Sequence, residues 1–464
     1  MVGKDKAVRN DSVISHVNGR QEPPNHTNGR GSDDFDFHNV PPMSSVSSEK
    51  GSGMSGAIFN LVTTVIGAGI MALPATMKVL GLIAGVVFIF LMGIISEISL
   101  ELLVRFTHQC KATSYGEVVE HALGKPARIV SEVFIILNNA GVLLVYLIIM
   151  GDVMSGSPKH AGVLEQWFGN GFWDDRRIVS LILLIVFLAP LCALSKIDSL
   201  SMTSAASVVL AVLFVVIACV ITFIMLAKGK IDSPRLIPEF GSKAAVLDLL
   251  VVIPIMSNAY VCHFNVQPIY NELENRSPER MNKVGRWTTV ICVLIYWLTA
   301  VAGYLLFGKD TEADVLTNFD KPLPVKGSEA LNYIVRVGYI CHLILVFPVI
   351  HFSLRQTVDA LAFKGKPPLT KSKGRCLGLT CAILIVVYLA SVLIPSIWTA
   401  FKFTGATTAV SLGFVFPSLI ALRLSRHGPE GLSSRETVLS WLMLIMAIIV
   451  GIVGVVGNIY GLQS

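Results

Sequence analysis

The sequence predicts an all-α membrane protein with eleven transmembrane helices, arranged as a 5+5 inverted repeat plus one extra helix. Three observations predict this fold class. Charged residues make up 15% of the 464-residue chain, against roughly 25% in a soluble domain. Eleven windows of at least 18 residues contain no Asp, Glu, Lys or Arg, and a membrane-spanning helix needs about 20 mostly apolar residues. The first and sixth windows are interrupted by Gly, Pro or polar residues.

The charge-free windows are numbered here as spans 1 to 11. They are 57–77, 79–96, 133–151, 178–195, 199–227, 249–271, 287–308, 337–354, 376–401, 403–422 and 437–464. One such window could be a buried core helix of a soluble protein, but eleven in one chain exclude that class. Each segment must satisfy its own backbone hydrogen bonds in lipid, so the windows are predicted to be helices.

Residues 1–50 precede the spans and are predicted to form a disordered cytosolic tail, because they are polar and lack a long apolar run. With that tail in the cytosol, the segments on its side of the membrane carry 24 Lys and Arg, and those on the other side carry 11. The positive-inside rule therefore predicts a cytosolic N-terminus. The rest of the chain, 51–464, is predicted to be one transmembrane transporter domain.

The spans divide into two halves of nearly equal length. Spans 1–5 cover 57–227 and spans 6–10 cover 249–422. Because each half holds an odd number of spans, the second half must run upside down relative to the first. Inverted repeats of this kind are a transporter architecture, with the substrate site where the halves meet. Span 11, at 437–464, is the extra helix.

Span 1 reads TTVIGAGI over 63–70 and carries Pro74 shortly afterwards. Glycine costs a helix about 1 kcal/mol relative to alanine and proline about 3, so the helix is predicted to unwind at the two glycines. The amide N–H groups exposed there would attract a carboxylate. The Ile70 carbonyl, which Pro74 leaves without its donor, would accept from an ammonium group. A zwitterion fits this arrangement, and the alternative is close helix packing through small residues.

Span 6 reads SNAYVCHFNVQP over 257–268, which is unusually polar for membrane depth. Such residues are costly in lipid unless they face a cavity or a partner. A broken span at matching positions of both halves is typical of a transport site. The candidate substrate-binding residues are therefore Thr63, Thr64, Gly67, Ala68, Gly69, Ile70, Ser257, Asn258, Tyr260 and His263.

These segments resemble motifs of the amino acid/auxin permease family, which includes animal sodium-coupled neutral amino acid transporters and a plant vacuolar branch. The matching segments are FNL at 59–61, IGAGI at 66–70, YVCH at 260–263, PIYNEL at 268–273, FTGATT at 403–408 and FPSL at 416–419. The stretch ALPATMK at 72–78 is most similar to the plant vacuolar branch. The resemblance covers about 52–460 and implies the eleven-helix, LeuT-like inverted repeat and amino acid transport by alternating access.

The coupling ion is predicted to be the proton, with sodium less favoured. His263 lies in the interrupted span 6, and imidazole titrates near neutral pH; the alternative is a histidine that merely hydrogen-bonds two helices. In the sodium-coupled relatives, a span 1 asparagine and a span 8 threonine resemble sodium ligands. Here Thr63 stands at the first position, and LILVF at 343–347 offers no side-chain oxygen. His263 and Thr63 are therefore the candidate ion-binding residues.

The predicted function is secondary transport of amino acids across a lipid bilayer, with export from the vacuole or another endomembrane favoured and the plasma membrane as the alternative. The alternative function is an amino acid sensor that uses the same site. The sequence contains no HExxH or GxSxG motif, and GYLLFGKD at 303–310 lacks the last residue of a phosphate-binding loop. Neither an enzyme nor an ATP-driven pump is therefore predicted, and no cofactor, metal or nucleic acid is expected.

Overall fold

The computed structural model describes residues 52–157, 159–194, 201–394, 396–426 and 431–463. The predicted tail, 1–50, lies outside the described residues. Within the described ranges, nine helices are long and apolar enough to cross a membrane, and one bent helix pair brings the number to ten. The protein is mostly helical, as predicted. A short antiparallel hairpin, Gly156–Ser157 with His160–Ala161, lies between spans 3 and 4.

The first half begins with a broken helix. Span 1 consists of Met54–Val65 and Gly69–Leu80, which meet at 54°. Span 2 is Leu82–Gln109, and a short helix, Tyr115–Leu123, precedes span 3 at Lys125–Ser155. Span 4 comprises the consecutive segments Arg176–Leu183, Leu184–Leu188 and Ala189–Cys192, and span 5 is Ser201–Ala227.

The second half repeats this pattern. Span 6 consists of Lys243–Tyr260 and Val266–Glu272, joined by the 3-10 turn His263–Asn265. Spans 7, 8 and 9 are Pro278–Phe307, Ser328–Ala362 and Lys373–Leu393. Span 10 comprises Ile397–Thr404, two π-helical segments, Gly405–Ala409 and Ser411–Val415, and Phe416–Leu424. Span 11 is Ser434–Gln463.

Successive spans start on alternate faces of the bundle. The face where span 1 starts is called the N-terminal side here, and the opposite face the far side. In the central part of span 10, 78% of residues are buried inside the protein, against 28% in span 11. The inverted repeat thus encloses the core, and the extra helix lies at its edge.

The count of eleven spans depends on span 4, which runs for 17 residues between Arg176 and Cys192. That length is at the lower limit of about 17 residues for a membrane crossing. The guanidinium of Arg355 in span 8 donates to the carbonyls of Cys192 at 2.8 Å and Leu194 at 2.9 Å. A cation at a helix C-terminus satisfies carbonyls that have no partner within the helix. Arg355 therefore fixes the end of span 4.

The predicted boundary between spans 9 and 10 is wrong. The charge-free window 376–401 was predicted as one helix, but span 9 ends at Leu393 and span 10 begins at Ile397. Ser396 caps the new helix, because its hydroxyl accepts from the Thr399 N–H at 3.3 Å. A charge-free window identifies the part of the chain that lies in the membrane. It does not show where a polar capping residue starts a new helix within that window.

Replacing Arg355 with Met tests the anchoring of span 4. The variant leaves the buried Cys192 carbonyl and the partly buried Leu194 carbonyl without this donor, so we expect the folded protein to lose about 2–3 kcal/mol of stability, measured as a lower apparent melting temperature in detergent. The control is Arg286→Met, because the Arg286 side chain is 63% exposed and its pair with Glu97 contributes little. Equal melting temperatures for both variants would contradict the anchoring role.

Candidate functional site

Span 1 is broken at the predicted place. Its first helix ends at Val65, Ile66 is extended with φ −80° and ψ 92°, and the second helix begins at Gly69. Unpaired backbone groups cost several kcal/mol in lipid. The Tyr296 hydroxyl lies 2.6 Å from the Val65 carbonyl oxygen, and Tyr339 donates to the Gly67 carbonyl at 2.8 Å. Tyrosines of spans 7 and 8 therefore satisfy the break.

The break in span 6 lies directly against the break in span 1. Its first helix ends at Tyr260, and Val261 is extended with φ −81° and ψ 108°. The Tyr296 hydroxyl is also 2.7 Å from the Ala259 carbonyl oxygen, so its single proton is shared between carbonyls of both broken spans. A Cβ at Gly69 would lie only 3.1 Å from the Ala259 Cα. Glycine thus allows the two backbones to touch.

On the N-terminal side the two breaks are joined by side chains. Asn265 donates its amide to the Thr64 hydroxyl at 3.0 Å, and Thr64 donates in turn to the Asn60 carbonyl at 3.0 Å. These residues stand at the inner end of a cavity of about 440 Å³ that opens on this side. The other polar residues in its deeper part are Ser204 and Ser353.

Charged residues surround the mouth of this cavity. Arg128 pairs with Glu132 at 2.8 Å and with Glu120 at 2.7 Å. The hydrogen bond from the Arg128 guanidinium holds the pKa of Glu120 below its ordinary value. The mouth is further lined by Thr113, Ser114, Glu117, Asn271, Glu272 and Gln356. Solvent on the N-terminal side therefore reaches the broken spans through a polar vestibule.

The far side of the breaks is closed. The Val315 N–H, from the loop between spans 7 and 8, donates to the Met71 carbonyl at 3.2 Å. Gly303 of span 7 lies so close to span 1 that a Cβ there would be 2.6 Å from the Pro74 Cγ. The cavity thus has access from one side only, and the protein is in a state open toward the N-terminal side.

Among the predicted site residues, Thr64 lines the cavity. Gly67 and Ala68 are buried beneath Tyr146. The Tyr146 hydroxyl occupies the space that a Cβ at Gly67 would need, and it interacts with the Ala68 N–H. Ile70 is also buried, whereas Gly69 is partly exposed. Gly69 is thus the accessible residue at the start of the second half-helix.

Most of the remaining predicted residues bond to other helices, and one bonds within its own helix. The Thr63 hydroxyl donates to the Ser204 carbonyl at 3.3 Å, and Ser257 donates within its own helix to Ile253 at 2.9 Å. Asn258 is held by the Thr404 hydroxyl at 3.4 Å, while its Oδ1 has no partner within the described ranges. The Tyr260 hydroxyl donates to the Ile89 carbonyl at 3.0 Å.

His263 lies fully buried in the 3-10 turn of span 6, with its ring 6.2 Å from the Phe414 ring. Among the described residues, neither ring nitrogen has a hydrogen-bond partner. His342 differs, because its Nδ1 lies 2.7 Å from the Ser207 carbonyl oxygen. His342 thus joins spans 8 and 5, whereas His263 is not such a helix contact.

The sequence interpretation did not identify Asn60, Asn265, Tyr146, Tyr296 or Tyr339. Asn265 falls within the polar stretch of span 6, which was noted as a whole. The three tyrosines stand within spans 3, 7 and 8, and a buried tyrosine hydroxyl generally needs a partner. The presence of tyrosines within membrane spans was therefore the sequence feature that could have identified these three residues.

The family described as "Transmembrane amino acid transporter protein" matches residues 50–461 of this chain. Among curated relatives, "Amino acid transporter AVT6E" of Arabidopsis thaliana is 65% identical over 452 residues, which is 97% of this chain and 92% of that protein. "Amino acid transporter AVT6B" of the same plant is 44% identical over 418 residues, covering 89% and 91%. The resemblance read from the motifs is confirmed.

Solved structures show the same fold at low sequence identity. A mutant of the Eremococcus coleocola manganese transporter aligns with a TM-score of 0.57 and 12% identity, covering 89% of this chain and 87% of the other. A Na+-coupled sialic acid symporter, in a substrate-bound outward-open state, aligns with a TM-score of 0.53 and 13% identity, covering 87% and 90%. These likenesses confirm the LeuT-like fold.

Gly67→Val tests the site at the break of span 1. The added side chain must displace the buried Tyr146 hydroxyl and restricts the backbone, so we expect the affinity for amino acid substrates to fall at least tenfold. The measurement is equilibrium binding of labelled amino acids to the purified protein. Gly338→Val in span 8 is the control, since a Cβ there meets nothing within 4 Å. Wild-type affinity in Gly67→Val would refute this assignment.

Proposed function

Since this chain belongs to the transmembrane amino acid transporter family, we propose that it carries amino acids through the bilayer by alternating access. The observation that carries the proposal is the cavity on the N-terminal side, which ends at Thr64 and Asn265 beside both broken spans. The far side is closed by the Val315–Met71 contact. Once substrate is bound, the cavity on the N-terminal side would close and the far side would then open.

The proposed substrate site is the start of the second half-helix of span 1. Helix N-termini bind carboxylates through free N–H groups and the helix dipole. Gly69, the partly exposed residue of the break, begins a helix of 12 residues. The substrate carboxylate would compete with the Tyr146 hydroxyl for the Ala68 N–H. The substrate ammonium would take the Ile70 carbonyl or the free Oδ1 of Asn258.

The proposed driving ion is the proton, and His263 is its proposed site. An imidazole with two unpartnered nitrogens beside a break can accept a proton when solvent reaches it. Sodium is less favoured, because the Thr63 oxygen already bonds the Ser204 carbonyl. The proposed membrane is the vacuole or another endomembrane, with export toward the cytosol and the N-terminus on the cytosolic side. The plasma membrane is the alternative location.

Flux into proteoliposomes tests the transport function. The full-length protein is reconstituted, and uptake of labelled amino acids is followed under an imposed pH gradient, with sodium present or replaced by choline. We expect uptake that is driven by the pH gradient, insensitive to choline and abolished by a proton ionophore. Binding of amino acids without flux would reject transport in favour of a sensor. Uptake that requires sodium and ignores the ionophore would reject proton coupling.

His263→Gln separates coupling from substrate binding. We expect the variant to lose at least nine-tenths of the uptake driven by the pH gradient while it keeps exchange of labelled for unlabelled substrate, since exchange needs no net proton movement. The control is His121→Gln, because His121 is exposed on the helix Tyr115–Leu123. An undiminished response to the pH gradient in His263→Gln would exclude His263 as the coupling site.

A further inference from the structure

The loop between spans 7 and 8 closes the far side, and its residues 311–320 are called the plug here. Its centre enters the bundle, where Leu316 and Phe319 are buried and the Val315 N–H donates to the Met71 carbonyl. The Phe319 ring packs against Phe214 at 6.4 Å. Opening the far side therefore requires the plug to leave apolar surroundings.

Both ends of the plug are held by polar contacts. Lys78 of span 1 donates to the Thr311 carbonyl at 2.9 Å, and Gln166 donates to the Asp320 carbonyl at 2.8 Å. The Asp320 carboxylate lies 3.2 Å from His160 of the hairpin. The plug thus joins span 1 to the loop between spans 3 and 4.

Asp314 is the buried carboxylate of the plug and directly precedes Val315. It is 7% exposed, and its Oδ1 accepts from the Leu316 N–H at 3.0 Å. Its Oδ2 is buried with no hydrogen-bond partner among the described residues. A buried ionised carboxylate with one oxygen unpartnered is unfavourable, and a proton on that oxygen removes the charge.

The charged and titratable groups around Asp314 do not neutralise it. Burial raises the pKa of Asp314 from its ordinary value of 3.8 to about 7; the Leu316 N–H lowers it, the nearby Asp152 raises it, and Arg336 lowers it. Arg336 instead donates to the carbonyls of Val153 and Ala161. The other such groups near or on the plug are Tyr339 of span 8, Lys78 of span 1, His160 of the hairpin, and Glu312 and Asp320 of the plug itself.

We propose that Asp314 takes up a proton from the far-side solution when the plug closes, so that the pH of that compartment sets the equilibrium of the far gate. The proton adds to the carboxylate as the plug enters the bundle and returns to the same solution when it leaves. This inference rests on the proposed function for its meaning in transport, but it concerns a residue and a step separate from His263.

The direction of the pH effect follows from the two states. With the plug closed the carboxyl binds its proton up to about pH 7, whereas in water its pKa returns to the ordinary value of 3.8. The closed state thus binds more protons between these values, so acid favours closure. The equilibrium constant for closure rises roughly tenfold for each pH unit below about 7. Above about pH 7 this dependence on pH is lost. An acidic far compartment would therefore favour the closed plug, and with it the state that is open on the N-terminal side.

Hydrogen exchange of the full-length protein in nanodiscs tests the closure equilibrium without substrate or gradient. The readout is protection of the Val315 amide, corrected for the intrinsic pH dependence of exchange. We expect wild-type protection to rise about 20-fold from pH 7.5 to pH 5.5. Asp314→Asn is neutral at every pH, so it should be protected to the same extent at both. Protection of the wild-type plug that does not change with pH would overturn the proposal, whether or not the variant folds.

Two variants separate Asp314 from its neighbours. Asp310→Asn makes the same chemical change at an exposed position of the same loop and should keep the wild-type response. His160→Gln removes a second titratable side chain that contacts the plug and should also keep the wild-type response. Loss of the response in His160→Gln, together with its survival in Asp314→Asn, would assign the effect to His160 and overturn the proposal. Because exchange is measured without transport, a failed flux assay leaves this test intact.

Discussion

Two helices are broken at membrane depth, and the backbone groups released there must find partners in a medium that supplies no water. The carbonyls of Val65, Gly67 and Ala259 meet this requirement through the hydroxyls of Tyr296 and Tyr339. Because these tyrosines belong to spans 7 and 8, the spans on either side of the plug hold the breaks in place. The position of the broken backbone therefore depends on side chains from outside the broken helices.

The same constraint makes the two faces of the protein unequal. On the N-terminal side, polar side chains such as Asn265 and Thr64 join the breaks and tolerate water around them. Beside the break of span 1 on the far side, the helices pack closely, since Gly303 lets span 7 approach Pro74. The cavity already opens on the N-terminal side, where water can hydrate groups that are polar. Opening the far side would need packed apolar surfaces to separate. The two sides therefore differ in what their opening involves: hydration of polar groups on the N-terminal side, and loss of apolar contacts on the far side.

Local chemistry determined which features could be predicted. The break of span 1 follows from Gly67, Gly69 and Pro74, whose backbone preferences act within one turn, and it was predicted correctly. The start of span 10 was not, because the capping residue Ser396 sets it and an uninterrupted charge-free window does not reveal a cap. Thr64 lines the cavity, but the burial of Gly67 beneath Tyr146 depends on a span far away in sequence. Such contacts arise from packing, which no local pattern contains.

Under the proposed proton coupling, the arrangement also bears on whether the tyrosines that hold the broken backbone could relay a proton between His263 and Asp314. His263 lies beside the break of span 6 toward the N-terminal side, and Asp314 lies on the far side. The hydroxyls of Tyr296 and Tyr339 donate their protons to backbone carbonyls of the broken spans. A carbonyl accepts a hydrogen bond but carries no proton to pass on, so these two hydroxyls cannot relay a proton onward while they hold the broken backbone.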